Sequence, residues 1–145
     1  MPHERHHDED YAHEPITIGS PPVATGFTHV VPGSSRQRIV AVSFILVADA
    51  NAANRIARVE YLNAAGAVFF AVAAPFTVTA NITSRLNFGI GVQQFGANAA
   101  AQIGGPLPDF NLAAGLAVRV AVTAIQAGDQ ISGASLFVDQ WAVRE

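Results

Sequence analysis

From Phe76 to Val92 the chain alternates without a break: Phe76, Val78, Ala80, Ile82, Ser84, Leu86, Phe88, Ile90 and Val92 share one parity. Thr77, Thr79, Asn81, Thr83, Arg85, Asn87, Gly89 and Gly91 share the other, and only Ser84 interrupts the apolar set. Successive side chains on a strand point to opposite faces, so this is the pattern of an antiparallel sheet with one face in a core and the other in water. At ~3.3 Å per residue the run is too long for one ordinary strand. It is therefore expected to bend or divide, with Ser84 or Gly89 as the corner.

The other strand expectations are each closed by turn chemistry. Ala24 to Val31 ends at Pro32-Gly33, Arg38 to Ala48 at Asp49-Ala50-Asn51, Ile56 to Leu62 at Asn63 to Gly66, and Ala67 to Ala73 before Pro75. Asp109 to Leu112, Leu116 to Ile125 and Ser132 to Val143 complete the set, and Gln94 to Leu107 reads as a long loop. Val, Ile, Phe and Thr dominate the runs and no 3.6-residue period persists, which leaves room for one helical turn at most, at Ala50 to Asn54 or in that loop. The expectation is an all-β fold, an antiparallel β-sandwich of jelly-roll-like topology.

The chain has 145 residues, half of them hydrophobic, enough for one domain with its own core. Residues 23–145 are expected to form the sandwich and residues 1–22 an extended polar N-terminal arm. Met1 to Pro15 holds five of the eleven acidic residues and four of the five histidines with hardly an apolar group, so it cannot build a core by itself. Gly19-Ser20-Pro21-Pro22 follows as a stiff linker. We expect the arm to lie on a second surface, with His3, His6, His7, Asp8, Tyr11, His13, Pro21 and Pro22 as partner-binding residues.

Several function classes are disfavoured by composition. A net charge of −3 argues against nucleic-acid binding, which needs a basic face. Val40 to Ala48 and Ala64 to Pro75 fall short of the ~20 apolar residues of a spanning helix, and no signal-peptide h-region is expected in Met1 to Pro15. Cysteine is absent, which removes disulfides and thiolate chemistry.

No catalytic group, cofactor or metal is expected. The arm histidines and their neighbouring carboxylates suit divalent metals by chemistry, but they lack rigid elements and supporting contacts. Beyond the arm His29 is the sole histidine, without a nucleophile-elbow sequence near it, and is read as a structural or interface residue. Asp49, Asn51 and Asp129 could in principle meet as a calcium site at one end of the sandwich, although turn formation is their default. Arg55, Arg58 and Glu60 are read as one strand's charges, the last two making a cross-strand or rim pair. Trp141 is read as a core or edge aromatic in preference to a sugar platform.

Two stretches, RIVAVSFILVADANAANRIARVEYLNAAGAVFFAVAAP and LPDFNLAAGLAVRVAVTAIQAGDQISGASLFVDQW, with the alternating run between them, resemble small β-sandwich virion proteins of tailed bacteriophages. The shared elements are Ala48-Asp49-Ala50, Ala53-Asn54-Arg55, Leu116 to Val122 and Ala127-Gly128-Asp129, within a span from Ser35 to Trp141. The resemblance implies a capsid decoration or cement protein on the capsid surface, possessing no enzymatic activity, with the major capsid protein and copies of itself, as trimers, for partners. The alternatives are a tail or baseplate component, and a host-surface carbohydrate-binding module with a groove lined by Trp141 or Tyr61.

Overall fold

The computed structural model describes residues Tyr11–Val143. The strands are β1 (Tyr11–Gly19), β2 (Phe27–Val30), β3 (Ser35–Val47), β4 (Ile56–Leu62), β5 (Val68–Ala73), β6 (Thr83–Gly89), β7 (Gln102–Pro106), β8 (Asn111–Ala113), β9 (Ala117–Thr123) and β10 (Gln130–Ala142). No helix occurs among the described residues.

Six strands form one sheet in the order β1-β10-β3-β6-β7, with β8 also paired to β3, and four form the second in the order β2-β9-β4-β5. The pairing is nested: β1 with β10, β2 with β9, β3 with β6 and β4 with β5, all antiparallel. A long hairpin rolled up on itself pairs its strands in this way, and the result is the jelly roll. β7 and β8 are additions between the sixth strand and the ninth. β7 runs parallel to β6, with Arg85 opposite Gln102.

The core lies between the sheets. Val42, Phe44 and Leu46 of β3, Leu86 of β6, Val59 and Tyr61 of β4, Val118 and Val120 of β9, and Ile131 and Val138 of β10 are essentially inaccessible. Their alternation with polar or half-buried neighbours is what a two-faced strand requires. Phe27 meets Phe44 edge to face across the two sheets, 6.2 Å between centroids.

The long alternating run is only partly a strand. β6 takes Thr83–Gly89, whereas the preceding segment from Pro75 is a connection that bridges Arg55 through Val78 and turns at Asn81 with φ 63°. The parity nevertheless encodes burial along most of the run, because Phe76, Ile82 and Ile90 pack against the core from outside the strand, although Val92 at its end is exposed and Gly89 of the other parity is buried. Ser84 is no corner: it sits buried in β6 and its hydroxyl donates to the Ala100 carbonyl, 2.5 Å. The predicted loop at Gln94–Leu107 contains β7, hidden by its sequence QIGGP. Gly104 is required there, since a Cβ would overlap the Asn87 carbonyl oxygen and the Phe95 ring.

The expected boundary of the sandwich near Val23 is corrected. Tyr11–Gly19 pairs with β10 from Tyr11↔Trp141 to Gly19↔Ala134, so it is the first jelly-roll strand and not part of an extended arm laid on a second surface. Ile16 and Ile18 supply its inward face. Pro15 breaks the strand signal in the sequence, yet an edge strand tolerates a residue without an N–H. Pro21 and Pro22 are engaged within the same chain: the Pro21 carbonyl accepts from Gln130 Nε2 at 2.8 Å, and the Pro22 carbonyl from Thr25 Oγ1 at 2.6 Å.

Candidate assembly surface

Of the arm residues singled out from sequence, His3, His6, His7 and Asp8 lie outside the described residues. Tyr11 and His13 are in β1, opposite Trp141 and Asp139. His13 Nδ1–H donates to Asp139 Oδ1 at 2.6 Å, and its ring lies parallel to Phe137 with centroids 6.3 Å apart. A carboxylate can only accept, which fixes the proton on Nδ1. Asp139 Oδ2 accepts from Arg38 Nη1 at 2.9 Å. Arg38 also grips both oxygens of Asp109, Nε to Oδ1 at 2.6 Å and Nη2 to Oδ2 at 3.1 Å.

This chain of charges crosses β1, β10, β3 and the segment before β8 on the outward face of the six-stranded sheet. Hydrogen bonds to Asp109 and then to Asp139 raise the Arg38 pKa, while the Asp109 carboxyl is held below its ordinary value chiefly by the Arg38 hydrogen bond. Half-exposed Phe137 stands beside the network. His29 bonds inside the sandwich, its Nε2–H donating to Gln37 Oε1 at 2.7 Å, and Gln37 Nε2 donates to Gln140 Oε1 at 2.6 Å. It therefore ties β2 of one sheet to β3 and β10 of the other.

Asp49, Asn51 and Asp129 do converge, but around a guanidinium. Arg55 is completely buried, with Nε donating to Asp129 Oδ2 at 2.7 Å and Nη2 to Asp49 Oδ1 at 2.8 Å. Nη1 reaches the Ala53 carbonyl and Nη2 the Asn51 carbonyl, both at 3.0 Å. Asp129 also accepts from the backbone N–H groups of Asp49 and Gln126, at 2.8 and 2.7 Å. Burial alone would push the Asp129 carboxyl up; the hydrogen bonds from Arg55 and the two amides, with the Arg55 charge, outweigh it and hold it below its ordinary value. The sequence reading missed this role for Arg55, since a strand-end arginine carries no sign of burial. Arg58 and Glu60 do meet, at 3.4 Å, but the shorter bond to Glu60 is from Arg119 across the strands at 2.8 Å.

The opposite surface has another chemistry. Val68, Phe69 and Phe70 at the start of the edge strand β5 are 44%, 48% and 41% exposed. Tyr61 pairs with Phe70 and Leu62 with Val68, so Phe69 is the extra residue of a bulge. Phe69 and Phe70 both approach Phe110, at 6.2 and 5.2 Å, and Tyr61 at 6.4 and 6.3 Å. Tyr61 itself is fully buried, and burial raises its phenol pKa. Its hydroxyl has no hydrogen-bond partner among the described residues.

Tyr61 therefore lines no groove. Trp141, half-buried on β10, does line a shallow depression of about 270 Å³ with Arg36, Asn111, Ala142 and Val143. A second depression of about 550 Å³ adjoins it at Ser34, Ser35, Ala113 and Ala114.

No protein-family model and no curated protein matches the sequence. Among solved structures, the chain is similar to one from a crystal structure of the infectious bursal disease virus particle, with a TM-score of 0.46 and 11% identity over 90% of this chain. A chain of the infectious bursal disease virus Gx strain gives a TM-score of 0.37 and 12% identity over 92%. This chain spans 31% and 41% of those two longer chains.

Proposed function

We propose that this is a structural virion protein that binds the assembled bacteriophage capsid and stabilises it as a decoration or cement protein, without catalysis. The observation that carries the reading is the complete nested jelly roll with its first strand at an open sheet edge. Jelly rolls serve in viral capsid and lectin domains, an argument from fold to which the loose resemblance to phage virion proteins adds. The segment before Tyr11 joins the fold at that edge, beside the His13–Asp139–Arg38–Asp109 network. A charged segment that continues from a strand beside a rigid mixed-charge face can contact the major capsid protein and neighbouring copies together. Each added contact then acts at high effective concentration, and binding only the assembled shell stabilises it by mass action.

Cosedimentation with undecorated capsids tests the reading. The deletion must stop at Asp10, because removing residues as far as Pro22 also removes β1. Saturable binding by the full chain, weakened at least tenfold in the Met1–Asp10 deletion while the fold persists, is the expected result. Equal occupancy by the deleted protein would refute the stapling role, and no binding by either would refute the capsid assignment.

The Trp141 depression favours a second reading, a host-surface carbohydrate-binding module, because an aromatic ring flanked by Arg36 and Asn111 suits a sugar. Glycan binding abolished by Trp141→Ala, without capsid binding, is the result that selects it.

A further inference from the structure

β3 places two arginines, Arg36 and Arg38, on the outward face of the six-stranded sheet, and their surroundings differ. Arg38 stands in a row with Asp139 of β10 and Asn111 of β8, and its guanidinium is held by Asp139 and by both oxygens of Asp109. Arg36 stands in the adjoining row, between Trp141 of β10 and Ala113 of β8. Among the described residues Arg36 is exposed and has no carboxylate within ion-pair distance. Arg85 shares that state, but it lies opposite Ile45, toward the other end of β3.

The row is hollow because of its residues. Trp141 is large and Arg36 long, whereas Ala113, Ala114, Ser34 and Ser35 are small, so the surface falls away beside the guanidinium. Arg36 consequently lines both depressions, the one of about 270 Å³ with Trp141 and Asn111 and the one of about 550 Å³ with the serines and alanines. One wall is β8, a three-residue strand added to the jelly roll on β3. The other is the turn at Ser34, which takes a left-handed φ of 62° and whose carbonyl accepts from the Val143 N–H at 2.8 Å. Asn111 is exposed, and its side-chain amide makes no hydrogen bond among the described residues.

We infer that this depression binds a carboxylated sugar, a hexuronate unit of an acidic polysaccharide, with the carboxylate on Arg36, the ring against Trp141 and a hydroxyl on the Asn111 amide. This rests on the second reading, that the Trp141 depression takes a sugar, and adds which kind. A guanidinium fork matches the two oxygens of a carboxylate. An aromatic side chain supports the apolar face of a sugar ring, and an amide both donates to hydroxyls and accepts from them. All three stand on neighbouring strands of one sheet, which fixes their spacing. Net charge does not select the acid, because the corner holds two arginines against Asp109 and Asp139, and His13 adds a positive charge only when protonated. Pairing selects it: Arg38 satisfies both carboxylates, and the Arg36 fork is left facing the depression's solvent.

Trp141 is the only tryptophan in the chain, so its fluorescence reports on this depression. The full chain is titrated with trimers of galacturonate and of glucuronate, each beside its methyl ester, which keeps the ring and removes the charge. A saturable change in emission is expected, with an acid bound at least tenfold more tightly than its ester. Arg36→Gln should bring acid and ester to within about twofold with an unchanged circular dichroism spectrum, and Arg85→Gln should leave the preference intact. Trp141→Ala, followed by calorimetry, should weaken acid and ester alike. An ester bound as tightly as its acid overturns the inference and leaves the sugar reading standing, whereas no binding of any probe overturns both. A preference that survives Arg36→Gln, or is lost equally on Arg85→Gln, places the acid elsewhere and overturns it. So does acid binding that appears only in the Met1–Asp10 deletion, which would make the chain's own start the occupant. Cosedimentation with capsids decides the decoration role independently of all these outcomes.

Discussion

Removing Arg55 should be among the most damaging single changes available in this molecule. Its guanidinium is inaccessible and donates to Asp129, Asp49 and the Ala53 and Asn51 carbonyls. Arg55→Ala leaves the wholly buried Asp129 and the mostly buried Asp49 without their cation, and the Ala53 and Asn51 carbonyls without its N–H groups. Breaking a buried ion pair from one side costs about 3–5 kcal/mol, a large part of the ~5–15 kcal/mol that stabilises a typical domain. For a chain of this size that corresponds to a fall in Tm of about 10–15 °C.

Acid provides the internal control. In the wild type the Asp129 pKa lies below its unfolded value, so its contribution is present above pH ~4 and is lost as pH falls through the folded pKa. In Arg55→Ala the two amide hydrogen bonds remain but the cation no longer opposes burial, so the folded pKa is higher than in the wild type and the variant loses less stability on acidification. Urea unfolding of both proteins at pH 7 and pH 4 should therefore show a gap that narrows with acid. A gap under about 1 kcal/mol at pH 7, or one that widens toward pH 4, refutes the claim that the guanidinium holds this end of the sandwich by charge.

Two further substitutions test the packing. Tyr61→Phe removes a buried hydroxyl that has no partner among the described residues, so urea unfolding should show stability unchanged or raised by up to ~1 kcal/mol; a loss beyond that would reveal a partner. Gly26→Ala places a Cβ onto the Val120 carbonyl oxygen where β2 meets β9, and thermal unfolding should register a cost of about 1–3 kcal/mol, whereas a neutral result would mean that β2 can shift without loss.

Burial proved easier to read from this sequence than hydrogen bonding. The parity from Phe76 to Ile90 marks most of the side chains that face the core, yet only Thr83–Gly89 joins a ladder, because Asn81 takes a left-handed turn that no hydrophobic pattern encodes. Ile56–Leu62 was legible to the residue, being a β-branched and aromatic run closed by Asn63 to Gly66. β1 was hidden because its polar residues and Pro15 suit an edge strand, whose outer side needs no apolar partner. β7 was hidden because Gly104 answers to its neighbour Asn87 and not to local propensity. The Arg55 cluster failed to show for a third reason: Asp49 and Asp129 carry turn signals that are real, since each accepts from nearby backbone amides, and the same oxygens also bind a cation from a distant strand.

The nested pairing also orders the closure of the roll in time. β5 pairs with β4 across a short turn, so that hairpin can form from neighbouring sequence, whereas β1 finds β10 only when the whole chain is present. The His13–Asp139–Arg38–Asp109 network is built from the two ends and the middle of the chain, and it exists only in the closed roll. Long-range closure costs loop entropy before contacts repay it, so β1 is expected to dock late.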